Sequence, residues 1–160
     1  MMKTYGIGAV AQRLNLSVAA IRYYDQEGLL PFVHRDGGGR RRFTEDNIQL
    51  LKMILDLKRA GVPIKEIANF VSWRMDGDES LGERYAFLAQ QETVLEDKIA
   101  QLESSLAYLR FKKWYYKTAE AAGTEKIHLL PDSKQVAPAT YQAYHALLES
   151  GKTAKELGDV

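Results

Sequence analysis

Two clusters of cations and hydroxyls carry the chemistry of this chain. Arg22, Tyr23 and Tyr24 are consecutive, and Arg40, Arg41 and Arg42 follow Gly37-Gly38-Gly39. Arginine is always charged and forks onto phosphate oxygens. A tyrosine hydroxyl can donate to the same acceptors while its ring packs inward. Both clusters therefore suit the grip of a phosphate backbone. The bland alternatives are that one tyrosine is core while Arg22 pairs with Asp25 or Gln26, and that the arginine run is a solvated basic turn. In a strand Arg40 and Arg42 point one way and Arg41 the other, so at least one face is cationic in either register. Three adjacent guanidinium groups also repel one another unless a polyanion is present. His34 and Arg35, on the opposite flank, extend the patch. Lys58 and Arg59 either complement the negative end of a helix or reach phosphate.

The surrounding pattern supplies elements to hold these groups. Tyr5 to Ile7 reads as a short extended segment, and Gly8 as the cap of a helix carrying Val10, Ala11 and Leu14. Asn15 and Leu16 make a tight turn. Ser17 is a good N-cap for a second helix, with Ala20, Ile21 and Tyr24 inward and Gly28 as its left-handed stop. Two short helices joined by such a turn are the sequence form of helix-turn-helix. Leu29-Leu30-Pro31-Phe32 is an apolar anchor, and Asp36 to Gly39 tolerate a hairpin tip between Val33-His34-Arg35 and Arg41-Arg42-Phe43. Thr44 caps a third helix with Ile48, Leu51, Ile54, Leu55 and Lys58 at helical spacing. Gly61 closes it, and Pro63 opens a fourth with Ile64, Ile67, Ala68 and Val71 inward.

After a polar break at residues 75–79, Ser80 and Glu83 form an S-x-x-E capping box. From there Leu81, Tyr85, Leu88, Glu92, Leu95, Ile99, Leu102, Leu106, Leu109, Lys113 and Tyr116 repeat at steps of four and three. No Pro or Gly interrupts Glu83 to Ala122, which predicts a rod of about 60 Å. A rod with one apolar stripe needs a partner; Leu88, Leu95, Ile99, Leu102, Leu106 and Leu109 are its dimerisation residues. Glu92 and Lys113 flank Leu102 at similar distances, so an antiparallel pair brings opposite charges together. The alternatives are that both side chains snorkel out of the seam, or that the helix folds back on a monomer.

Beyond Gly123 the pattern weakens. Ile127 to Pro131 is an apolar patch, Pro138 to Ser150 reads as an amphipathic helix, and the last ten residues look frayed. Phe111, Trp114, Tyr115, Tyr141, Tyr144 and His145 could form a pocket for an apolar organic effector, cationic ones included. Ordinary aromatic packing is the competing reading.

Bulk properties narrow the classes. Residues 1–43 hold seven cations and three anions, net +4, while the remainder holds 15 cations and 18 anions, net −3. A basic head on a mildly acidic body suits a polyanion, although chance segregation on a solvated surface gives the same count. There is no cysteine, which excludes disulfides, thiol catalysis, thiol redox switches and thiolate metal sites. The three histidines show no metal-ligand spacing, the glycine triplet lacks the sequel of a phosphate loop, and the carboxylates form no recognisable pair. Neither an enzyme nor a cofactor is expected. No apolar run approaches the roughly 20 residues of a membrane span, and the N-terminus is too polar for a secretory signal. The expected location is the cytoplasm.

Over residues 5–71 the chain resembles the MerR family of bacterial transcription regulators. The resemblance rests on YGIGAVAQRLNLS, on AAIRYYDQEGLL, on the wing GGGRRRFT and on LKRAGVPIKEI, in that order. It implies a mainly α fold: a winged helix-turn-helix head with a small β-hairpin wing, then a long antiparallel coiled-coil dimerisation helix. The divisions are residues 1–75, 80–122 and a C-terminal tail, 123–160. It also implies a homodimer on double-stranded promoter DNA that bends and untwists an overlong spacer, so that RNA polymerase is engaged indirectly through the promoter. By position, Arg22, Tyr23 and Tyr24 contact backbone and bases, and Ser17, Val18, Ala19 and Ala20 face base edges. Arg41 and Arg42 grip from the wing, and Lys58 clamps phosphate. The chain departs from the family where Arg40 stands in place of an aromatic, and it lacks the cysteines of the metal- and oxidant-sensing branches. A small-effector tail, or no effector, remains. Other classes left open are a ligand-independent architectural or recombination accessory protein that bends DNA, and an interaction module using the coiled coil.

Overall fold

The computed structural model describes residues 2–159, and the chain divides into two compact units, residues 1–95 and 96–160. The first opens with strand β1 (Tyr5–Gly6) and helix α1 (Ile7–Arg13). Gly6 rather than Gly8 is the N-cap. Gly6 also pairs with Arg42 across the sheet, so the chain passes from strand to helix with no linking residue. Asn15 takes φ 52° in the turn that follows, a conformation Asn tolerates better than most residues. The Leu16 N–H closes the turn on the Ala11 carbonyl at 2.8 Å. Ser17 then caps helix α2 (Val18–Gln26), its hydroxyl accepting from the Ala20 N–H at 3.0 Å. Gly28, at φ 79°, ends it.

The wing has three strands, not the expected two. Strand β3 (Arg41–Phe43) lies between β1 and β2 (His34–Arg35), antiparallel to both. Phe43 is fully buried, which draws its strand against Tyr5 and fills the edge a free hairpin would leave open. Thr44 caps helix α3 (Glu45–Arg59) in a reciprocal box with Asn47, and helix α4 (Ile64–Met75) begins after Pro63. Their buried faces, Ile48, Leu51, Ile54, Ile67 and Val71, meet Val10, Ile21, Leu29 and Phe43 in one core. Each such side chain contributes on the order of 1.5–3 kcal/mol by leaving water.

A 3-10 turn at Gly77–Ser80 leads into helix α5 (Leu81–Ala122). The expected Ser80–Glu83 capping box is absent. The Ser80 hydroxyl donates backward to the carbonyls of Gly77 and Trp73, and Arg84 Nη2 donates to the Gly77 carbonyl at 2.7 Å. The 3-10 turn holds the serine side chain away from the helix start. Phe87 packs on Phe70 and Trp73, with ring centroids 5.4 and 5.9 Å away. The first turns of α5 therefore belong to the head, whose compact unit extends to residue 95.

In the second unit, the later turns of α5 carry a 3-10 turn (Glu125–His128), helix α6 (Pro138–Glu149) and helix α7 (Ala154–Gly158). In the apolar patch expected from Ile127 to Pro131, Ile127 and Leu130 are exposed, and the buried neighbour is His128. The frayed C-terminus is overturned as well. Thr153 and Glu156 form a reciprocal capping box, and Leu157 is buried with Phe111, Trp114, Tyr115 and Tyr144. Asp159 accepts from Lys113 Nζ at 3.0 Å through its carboxylate and from Lys117 Nζ through its carbonyl. Gly158 is there because α7 lies against α5: an added Cβ would sit 2.9 Å from the Lys113 Cβ. A Gly158→Val chain should lift α7 off α5 at a cost of about 1–3 kcal/mol. The check is amide hydrogen exchange at Leu157 and Asp159; unchanged protection would show that the contact is slack.

Candidate nucleic-acid interface and the C-terminal aromatic cluster

Helix α2 offers one exposed face. Ser17, Ala19, Arg22 and Tyr23 are exposed, whereas Val18 and Ala20 are half-buried against the head core. Of the four positions expected to face base edges, Val18 and Ala20 thus turn towards the core, because they share the helical face of Ile21 and Tyr24. Tyr24 is core, and its hydroxyl accepts from Lys58 Nζ at 2.9 Å. Lys58 stays exposed and is anchored beside α2. Arg22 does not pair with Asp25 or Gln26, and it has no hydrogen-bond or ion-pair partner among the described residues.

The wing arginines do not rely on a polyanion to relieve their repulsion. Two aspartates that the sequence pattern does not place in the site divide them. Asp25, near the end of α2, accepts through one oxygen, Oδ2, from Arg41 Nε at 2.7 Å and from Arg35 Nη2 at 3.1 Å. Asp36, at the hairpin tip, accepts from Arg42 Nε at 3.0 Å and faces Arg40 Nε at 3.3 Å. Its other oxygen accepts the Gly38 and Arg40 backbone N–H groups. The Arg40 N–H bond, then those from Gly38 and Arg42, hold the Asp36 carboxyl below its ordinary pKa against the opposing effect of burial. The alternation expected of a strand is visible here: Arg40 and Arg42 reach one aspartate and Arg41 the other. Arg41 is the most enclosed, with 17% of its side chain exposed against 77% for Arg40. Its position is that of a brace between wing and α2 rather than a free hand for phosphate. His34 is exposed on the edge strand.

A cleft of about 520 Å³ lies where these groups converge, lined by Gly6, Ile7, Gly8, Arg22, Gly39, Arg40, Arg41 and Arg42. Four cations and bare glycine backbone in one concavity suit a strand of phosphates. The only signals for the two aspartates were Asp36 at the start of a turn, a preferred place for that residue, and the surplus of arginines around it. Asp25 had no local signal.

Residues 5–72 match the family model described as MerR HTH family regulatory protein, and residues 48–110 match one described as MerR, DNA binding. An uncharacterized HTH-type transcriptional regulator from Haemophilus influenzae is 36% identical over 128 residues, which cover 80% of this chain and 95% of that one. This chain belongs to the MerR family. Among solved structures it is similar to HiNmlR, a MerR family regulator lacking the sensor domain, bound to promoter DNA. That match has 35% identity, a TM-score of 0.66, and coverage of 78% of this chain and 99% of that one. A MerR family regulator from Bacillus thuringiensis matches at 39% identity and TM-score 0.62, over 69% of this chain and 96% of its own. The molecule is thus a MerR-type transcriptional regulator with a DNA-binding winged helix-turn-helix head. No helix of this MerR protein, among the described residues, is long and apolar enough to cross a membrane.

The stripe expected to pair two MerR chains is open along α5. In the first unit Leu88 and Leu95 are exposed; in the second, Ile99, Leu102, Leu106 and Leu109 are exposed, Leu102 to 69%. Lys113, the expected partner of Glu92 in a second chain, is engaged by Asp159 of its own.

The tail does fold onto α5, and the six expected pocket residues separate. Trp114, Tyr115 and Tyr144 are buried; Phe111, also buried, stacks on the exposed Tyr141 at 5.0 Å and 16°. Phe111, Tyr141, Tyr144 and His145 line a cavity of about 650 Å³, whereas Trp114 and Tyr115 do not. The Tyr115 hydroxyl donates to Glu125 at 2.8 Å, and burial, aided by that carboxylate, pushes its pKa up to about 12.

His128, which no sequence motif placed in the site, locks the tail. The Thr118 hydroxyl donates to the Trp114 and Tyr115 carbonyls, so it accepts from His128 Nε2–H, at 2.6 Å. Nδ1 lies 3.3 Å from the Thr140 hydroxyl of α6, which itself donates to the His128 carbonyl, also at 3.3 Å. Burial holds the imidazole pKa below its ordinary value. Nothing in the local spacing announces this bridge, because its three members lie on three different elements.

Proposed function

We propose that two copies pair antiparallel through residues 80–122 and present their heads, residues 1–75, to a pseudo-palindromic promoter. Bending and untwisting the spacer would then let RNA polymerase engage both promoter elements, without touching the regulator. The observation that carries this reading is the cleft lined by Arg22, Arg40, Arg41 and Arg42, on the head that also exposes Tyr23. The similar regulator HiNmlR, whose crystal structure is bound to promoter DNA, supports it. Ser17, Ala19, Arg22 and Tyr23 are assigned to the DNA face, with Arg40, Arg42, His34 and Lys58 towards phosphate and Arg41 and Arg35 as braces. Such a protein works in the cytoplasm. No catalytic reaction, cofactor or metal is assigned to it. Residues 123–160 are assigned a small organic effector, on the strength of the aromatic cavity.

The test is a salt titration of binding to a duplex from its own promoter, with random duplex as reference. Specific binding should exceed non-specific binding by about a thousandfold or more. Arg22→Ala should weaken both and lower the salt slope by about one. Equal affinity for the two duplexes would defeat the proposal, and an unchanged slope would remove Arg22 from the phosphate contacts. Transcription from that promoter with purified polymerase tests the spacer mechanism separately.

A further inference from the structure

We propose that the cavity on the second unit takes a planar aromatic acid, its carboxylate held by Arg110 and its ring system against Phe111 and Tyr141. The proposal rests on the effector reading above and gives that effector a chemical class.

The cavity holds about 650 Å³, within the range that buries a drug-sized ligand. Its walls are Leu106, Phe111, Tyr141, Tyr144 and Leu148. The Phe111 and Tyr141 rings lie nearly parallel, at 16°, and Tyr144 meets Phe111 edge-on, with centroids 5.2 Å apart. Phe111 and Tyr141 cover each other's inner faces, so the flat surface left to a guest is chiefly that of the exposed Tyr141, which suits a flat guest.

Charge decides between acid and base. Arg110 lines the cavity, is half-buried, and has no hydrogen-bond or ion-pair partner among the described residues. Its field reaches the Tyr144 hydroxyl, where it lowers a pKa that burial raises. A partly desolvated guanidinium without an acceptor is costly, and a carboxylate satisfies it in a two-pronged bond. Glu103 also lines the cavity but is exposed, so water screens it more. A cationic guest would face Arg110 at close range. This narrows the apolar effector, cationic ones included, that the aromatic residues alone suggested, to an anionic one.

The test uses the full-length protein and three probes of one shape: naphthoate, the neutral naphthamide and a naphthyl trimethylammonium. Calorimetry should show naphthoate binding about tenfold or more tightly than naphthamide, with the ammonium weakest. Arg110→Gln should abolish the preference for acid over amide, and Arg110→Lys should restore part of it. Acid and amide binding alike, or the ammonium binding best, would overturn the acid assignment while leaving an effector cavity in place. Naphthoate that binds without altering promoter affinity would keep the site and remove the effector reading. Binding of none of the three, together with an Arg110→Gln chain altered only in its self-association, would overturn the proposal and make a second copy the occupant.

Discussion

An Ile99→Asp chain is expected to sediment as a monomer and to bind the promoter duplex about a hundredfold more weakly than the parent. Its heads should stay folded, because Ile99 lies outside the head unit and is exposed in the single chain. Helix α5 runs for 42 residues, and it exposes Leu88 and Leu95 in the first unit and Ile99, Leu102, Leu106 and Leu109 in the second. Burying such side chains against a second helix contributes about 25 cal/mol per Å² of apolar surface, and a carboxylate near the middle of that seam must be desolvated without a partner. In the proposed pair, the second head would bind DNA as part of the same molecule. Losing that linkage forfeits an advantage of about a hundredfold to ten-thousandfold. Sedimentation and electrophoretic shift check the two halves of the prediction, and far-UV circular dichroism checks the fold. A dimer that persists with Asp at this position would place the pairing surface elsewhere.

Asp25→Ala is expected to separate specific from non-specific binding. The substitution removes a negative charge from a basic head, so long-range attraction to any duplex should hold or rise. It also releases Arg41 and Arg35, which Asp25 holds through a single oxygen, and the wing then loses its fixed place beside α2. Promoter affinity should fall about tenfold to a hundredfold while affinity for random duplex does not. Asp25→Glu should recover part of the loss. If promoter affinity rises in step with random duplex, Asp25 is only a counter-charge and does not position the wing.

What the sequence made legible was local. Ser17 and Thr44 as caps, Pro63 at a helix start, and Gly28, Gly61 and Gly123 with positive φ all follow from single-residue preferences. The stripe on α5 follows from its period. Pairing at a distance was hidden. Tyr5 to Ile7 read as extended, but two strand residues carry too little pattern to announce their pairing with Phe43 and Arg42, and Asp25 meets Arg41 across 16 positions. Ser80 showed the right spacing for a cap, yet its hydroxyl donates to Gly77 and Trp73 instead. At the other end the outcome is the opposite: Thr153 and Glu156 show the same spacing and do form the box. A helix of five residues is too short for periodicity to reveal. The cavity residues were half legible: aromatic content pointed to the cluster, but only the fold separated its lining from its core.

The Asp25 contact also bears on how a head of this kind would choose among sequences. Because the edge strand β2 and the central strand β3 are both tied to α2 through one atom, the head works as a caliper locked at one opening. A locked caliper cannot widen to suit a groove, so the duplex must yield. Substitutions at base steps that no side chain touches should then change affinity in proportion to how stiff those steps are.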